Sequence, residues 1–161
     1  RHTRSLCDWS SDVCSSDLFH GRYCVLTPTP KTPEGAAERA AEFWSAIGMH
    51  ILEMSPAEHD RALGRTSHLP HLAAAALATL YESGDRPLTG TGLRDVLRIA
   101  GGDPALWTAI FRHNRSEVLA GLAALLGRLE EAKASLEKED YQALERLLAD
   151  GKRSQIGRAH V

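Results

Sequence analysis

The chain has 161 residues, 43% of them apolar and 25% charged, with Lys plus Arg 19 against Asp plus Glu 21 and a net charge of -2. This composition excludes a disordered chain, and the near-neutral balance excludes a general basic surface for nucleic acid. No apolar run approaches the ~20 residues of a membrane-spanning helix, and the 6% aromatic content favours helices over a β-sandwich.

In chain order, the first segment reads as non-biological. Ile156 to Val161 can be encoded by ATC GGA AGA GCA CAC GTC. The reverse complement of that string, GAC GTG TGC TCT TCC GAT, encodes Asp12 to Asp17. Two ends encodable by opposite strands of one short DNA resemble a translated sequencing adapter, so Arg1 to Leu18 and Gln155 to Val161 are set aside. The three basic and three acidic residues they hold cancel, and Cys24 is the one cysteine outside them. Neither a disulfide framework nor a Cys-based zinc site is expected, and a reducing cytoplasm is the expected compartment.

Residues 19–54 predict β-α-β: a strand over Tyr23 to Leu26, a Thr27-Pro28-Thr29-Pro30 break, and a helix capped by Thr32. That helix carries Ala36, Ala37, Ala40, Phe43, Trp44 and Ile47 and stops at Gly48. His50 to Met54 is the second strand, and the unit matches one repeat of a parallel α/β sheet. From Ser55 onward the pattern is helical. Ser55-Pro56-Ala57-Glu58 is a capping box, the helix runs through Leu63 and bends at Pro70, and it resumes from Leu72 to Leu80. Gly84 to Gly92 is a loop, and Leu93 to Ala100 a short helix. Asp103-Pro104 opens a helix to about His113. Ser116 to Ala134 and Glu137 to Ala149 carry long amphipathic stripes, which need partners.

Two constellations carry candidate chemistry. His59, His68 and His71 share one helical stretch, with Ser67 and Pro70 beside the last two. Such histidines serve as surface or satisfied core residues, as ligand contacts, or, with a third donor, as a metal site. No carboxylate or cysteine stands at a third-ligand spacing, so no metal is expected. Arg94 and Arg98 lie one helical turn apart, with Asp95 able to orient one of them. They read either as a solvated pair or as a receptor for carboxylates, with Gly90-Thr91-Gly92 allowing backbone to approach a ligand. Trp44 and Trp107 are each core or ligand wall. Asn114-Arg115-Ser116 matches a glycosylation acceptor by accident of composition.

The strings VLTPTPKT (Val25 to Thr32), EFWSAIG (Glu42 to Gly48), MSPAEHDRALGRTSHLPH (Met54 to His71) and GLRDVLRIAGGDPALW (Gly92 to Trp107) resemble the prephenate dehydrogenase family, which includes arogenate and cyclohexadienyl dehydrogenases. The resemblance implies a mainly α fold. Residues 19–54 would be the tail of a Rossmann domain, and 55–150 an all-helical domain that dimerises and completes the active site. It also implies oxidative decarboxylation of a cyclohexadienol dicarboxylate with NAD or NADP, in a homodimer. His71 and Arg98 become substrate contacts. Arg94 and Asp95 organise the pocket, from the partner subunit if need be, and His68, Ser67, Trp44 and Trp107 line or support it. The family's glycine-rich phosphate loop and its His-Pro-x-x-Gly region, which supplies the catalytic histidine, have no counterpart here. The chain is therefore expected to be an inactive fragment with no catalytic residue of its own. The alternative is a non-catalytic helical interaction module, and a third reading binds metal through His59, His68 and His71.

Overall fold

Strand β1 (Tyr23–Leu26) and strand β2 (His50–Glu53) pair in parallel, with Tyr23 opposite His50 and Leu26 opposite Glu53. Parallel neighbours need a crossover, which helix α1 (Ala36–Ala46) supplies. The computed structural model describes residues 18–154, so both adapter-like tails lie outside the described residues except for Leu18. These residues fall into two units, one up to His59 and one from Asp60 onward.

In the first unit the β-α-β reading holds, with one correction at the start of the helix. Thr32 does not cap α1. Its hydroxyl instead accepts from the Thr29 amide at 2.8 Å, closing a turn among the prolines. The helix begins three residues after Pro33, with Gly35 in the left-handed region at φ 70°. A second threonine at position 29 offered Thr32 a nearer amide, and a local side-chain bond of this kind competes with capping. Gly48 stops the helix as expected. It sits at φ 89°, and the Gly48 and Met49 amides donate to Ser45 and Trp44 carbonyls, the two bonds of a Schellman cap. A Cβ there would also stand 2.6 Å from the His20 ring.

Helix α2 (Pro56–Leu63) opens with the predicted capping box. The Glu58 amide donates to Ser55 Oγ at 3.2 Å, and the Ser55 amide donates back to Glu58 Oε2 at 2.8 Å. The predicted bend is displaced from Pro70 to a π-helical turn over Gly64–His68, and α3 (Leu69–Ala78) comes directly after it. In the turn the Leu69 amide donates to the Gly64 carbonyl, five residues back. Thr66 contributes its hydroxyl to the Ala62 carbonyl at 2.8 Å. Pro70 lacks the N–H that an uninterrupted α ladder would use, so the ladder is repacked just before it.

The predicted loop from Gly84 to Gly92 contains a 3₁₀ turn, Ser83–Leu88. The short helix begins earlier and ends earlier than its pattern suggests: α4 is Thr91–Leu97, and a 3₁₀ turn, Arg98–Gly101, succeeds it. Helix α5 (Pro104–His113) starts where Asp103-Pro104 predicts, with Asp103 Oδ1 accepting from the Leu106 amide at 2.7 Å. Helix α6 (Arg115–Glu137) runs longer than expected, and α7 (Tyr141–Arg153) starts later, because Asp140 caps it through the Ala143 amide at 2.9 Å. The centre of the second unit is where the π turn and α3 meet α6, with Ala74, Val118, His68 and Asn114 buried. Much of the α6 stripe stays uncovered, with Leu126 50% and Leu129 56% exposed. Among the described residues no helix is long and apolar enough to cross a membrane.

Candidate functional site

The π turn places His68 and His71 against the same indole from different directions. His71 stacks on Trp107 with ring centres 3.6 Å apart and planes 24° from parallel, whereas His68 meets the ring edge-on at 6.4 Å and 75°. The extra residue of a π turn rotates the next helical segment relative to its position in an unbroken α-helix. The i, i+3 spacing therefore brings both histidines to one neighbour without giving them one role.

The protonation pattern is set by their partners. His71 Nδ1 lies 2.9 Å from the Ser67 carbonyl, which can only accept, so Nδ1 carries the hydrogen. That leaves Nε2 as the nitrogen His71 offers to the pocket it lines. In the neutral ring Nε2 accepts from a hydroxyl, and in the charged ring it donates to a carboxylate. Ser67 thus acts through its backbone, four residues before the ring it orients.

The pocket has a volume of about 220 Å³ and is walled by His71, Ile99, Ala100, Gly102, Trp107 and Phe111, among others. Its surface is mostly apolar around one imidazole, the make-up of a small-molecule site, and its size suits a single ring. Gly102 is the glycine whose missing side chain the site requires. A Cβ there would collide with Trp107 Nε1 and stand 2.7 Å from Cδ1. Gly90 and Gly92, the close-approach positions expected from sequence, face open space instead. Gly102→Ala is expected to push the indole off His71, moving the Trp107 indole N–H resonance while leaving the helical circular dichroism unchanged. An unmoved resonance would show that the ring tolerates the methyl.

The other residues singled out in the sequence occupy several places. The Arg98 amide donates to the Arg94 carbonyl, so the two arginines stand one α turn apart as their spacing predicts. Both side chains are exposed, as is Asp95, and the residues directly after Arg98, Ile99 and Ala100, form the pocket wall. Trp44 belongs to the first unit, where Phe19 and Phe43 pack against it at 5.6 and 5.2 Å. Buried His68 accepts at Nδ1 from the Asn114 side chain at 3.1 Å. Among the described residues no group of three His, Cys, Asp or Glu side chains could hold a metal ion, so the reading with His59, His68 and His71 has no ligand set. Sequence reasoning missed Gly102 and Asn114. The adjacent Gly-Gly pair five residues before Trp107 was a usable signal for the first. No local signal marked the second.

The sequence-family profile described as "Prephenate dehydrogenase, dimerization domain" matches residues 55–150. The prephenate dehydrogenase of Bacillus subtilis is 33% identical over 142 residues, which cover 84% of this chain and 38% of that protein. The cyclohexadienyl dehydrogenase of Zymomonas mobilis is 32% identical over 136 residues, covering 80% of this chain and 46% of that one. The chain thus spans less than half the length of these two relatives. Among solved structures, prephenate dehydrogenase from A. aeolicus in complex with hydroxyphenyl propionate and NAD+ superposes with a TM-score of 0.75 at 30% identity, covering 84% of this chain and 50% of that one. Arogenate dehydrogenase from Synechocystis gives 0.74 at 29% identity, over 86% of this chain and 54% of that one. With a parallel β-α-β unit, a helical unit matching the dimerisation domain over its length, and relatives of one kind by both sequence and structure, the chain belongs to the prephenate dehydrogenase family.

Proposed function

We propose that this chain is the substrate-binding and dimerisation part of a cytoplasmic prephenate or arogenate dehydrogenase, and that the pocket at His71 and Trp107 receives the substrate ring. The observation that carries this reading is His71 itself, stacked on Trp107 at 3.6 Å with Nδ1 committed to the Ser67 carbonyl and Nε2 left for a ligand. His71 binds a ring substituent through Nε2, and Trp107 and Phe111 exclude water from the ring's faces. Arg98 and Arg94 supply positive charge for the substrate's carboxylates, with Asp95 orienting them. Each such charge-assisted bond contributes about 1.5–3 kcal/mol. His68, Ser67 and Gly102 hold the stack in place. The exposed leucines of α6 are covered by a second copy of the chain.

The relative solved with NAD+ points to a nicotinamide dinucleotide as the hydride acceptor, NAD or NADP. The residues present fit that group only in part. In a parallel sheet ligands lie beyond the carboxyl ends of the strands, and β1 ends there in the loop 27–35. No Gly-x-Gly-x-x-Gly turn, which would cradle the pyrophosphate, occurs in the 161 residues. A bound dinucleotide would supply the hydride acceptor. The part played by this chain is to hold the ring and its carboxylates so that carbon dioxide can leave as the ring becomes aromatic.

Two measurements test the proposal. The purified 161-residue chain mixed with prephenate and NAD should produce no NADH absorbance, and a clear signal would contradict its being inactive alone. Set into the Bacillus subtilis relative in place of the 38% of that protein it matches, it should give prephenate-dependent NADH. A folded chimera that binds NAD but leaves both prephenate and arogenate untouched would overturn the assignment.

A further inference from the structure

We infer that Asn114 is a positioning residue for the His71 pocket, fixing the π turn and the tautomer of His68; the inference rests on the proposed substrate role for its consequence, but not for its geometry. Asn114 is 6% exposed and stands at the junction of two helices. Its amide closes α5 on the Ile110 carbonyl at 3.0 Å, and its carbonyl opens α6 by accepting from the Val118 amide at 3.1 Å. The backbone is therefore held on both sides of this residue.

That side chain bridges the helix before the π turn and the last residue of the turn. Nδ2 donates to the Asp60 carbonyl at 2.7 Å, ahead of the turn, and lies 3.1 Å from Nδ1 of His68, the last residue of the turn. A carbonyl cannot donate, so the amide must present its NH2 group to Asp60, which fixes its orientation without reference to His68. The second hydrogen of that NH2 then points to a ring nitrogen that must accept it. His68 accordingly carries its hydrogen on Nε2, the opposite tautomer from His71 three residues later.

The consequence reaches the pocket through Trp107. His68 meets the indole in a T-shaped contact, and the indole presents its face to His71. One amide thus clamps the turn whose register decides where His71 projects, and sets the tautomer of the imidazole that meets the indole at 75°. The residue that looked from sequence like an accidental glycosylation acceptor is buried in the core of the helical unit, one hydrogen bond from His68.

The test is Asn114→Asp in the 161-residue chain, because a carboxylate has nearly the same shape and donates nothing. Ring 15N shifts in the unsubstituted chain should show His68 as the Nε2–H tautomer and His71 as the Nδ1–H tautomer. In N114D, His68 should gain a proton on Nδ1, and affinity for hydroxyphenyl propionate should fall about tenfold, the scale of one buried hydrogen bond. A merely structural residue would change melting temperature without changing the tautomer. If N114D keeps both the His68 tautomer and the affinity while His71→Ala loses the affinity, the inference fails and the substrate reading stands. If the unsubstituted chain binds no ring carboxylate, the substrate reading fails, and the His68 shifts still decide what Asn114 does. Should N114D not fold, an Nδ1–H tautomer for His68 in the unsubstituted chain would by itself overturn the inference.

Discussion

Replacing His71 by alanine is expected to weaken binding of hydroxyphenyl propionate about a hundredfold, measured by calorimetry, with the helical fold intact. The Nε2 contact to a ligand hydroxyl or carboxylate is worth about 1–3 kcal/mol, which spans roughly fivefold to somewhat above a hundredfold in affinity. The imidazole also gives the pocket one of its walls, so the upper part of that range is expected, whereas the stack on Trp107 is present with and without ligand and bears on stability instead. The fold should tolerate the change because His71 is only half-buried and its Nδ1 partner is a backbone carbonyl four residues back. Buried His68 should behave in the opposite way, with His68→Ala costing stability first. Unchanged affinity in His71→Ala would remove the ligand role from Nε2.

Gly64→Ala is expected to lower the melting temperature by roughly 5–10 °C, the equivalent of about 1–2 kcal/mol in a unit of this size. Alanine is the better helix former by about 1 kcal/mol, so a surface glycine would give the reverse result. Packing decides the sign here. A Cβ on Gly64 would stand 2.8 Å from Glu117 Cβ and 3.5 Å from its backbone carbon, so α6 itself has to move away from the π turn. That movement also pulls Asn114 from Asp60, since Asn114 and Glu117 lie together at the same helix start. A melting temperature equal to or above the unsubstituted chain's would mean that the helices have slack at this contact.

The parts of this architecture readable in sequence are those whose cause is local. Ser55 and Glu58, Asp103 with Pro104, and Gly48 each write their cap within a few residues, and the structure places all three as expected. Thr32 shows how a local rule fails: Thr29 offered its hydroxyl a closer amide than the helix did. The one-turn pairing of Arg94 with Arg98 was legible because it depends on spacing alone. The division of labour between His68 and His71 was not. It depends on a π turn that no residue pattern announces, and on Asn114, which is distant along the chain and adjacent only after folding. Gly102 lies between these cases, since its demand comes from a tryptophan five residues away that sequence places nearby without saying which way the ring turns.

The most direct test of the central claim is a crystal structure of the chain with hydroxyphenyl propionate. The ring should lie in the pocket between Trp107, Phe111 and Ile99, with one polar group within hydrogen-bond distance of His71 Nε2 and the carboxylate reached by Arg98 or Arg94, from the same chain or its partner. A ligand bound elsewhere, or one in this pocket that His71 and both arginines leave untouched, would contradict the account.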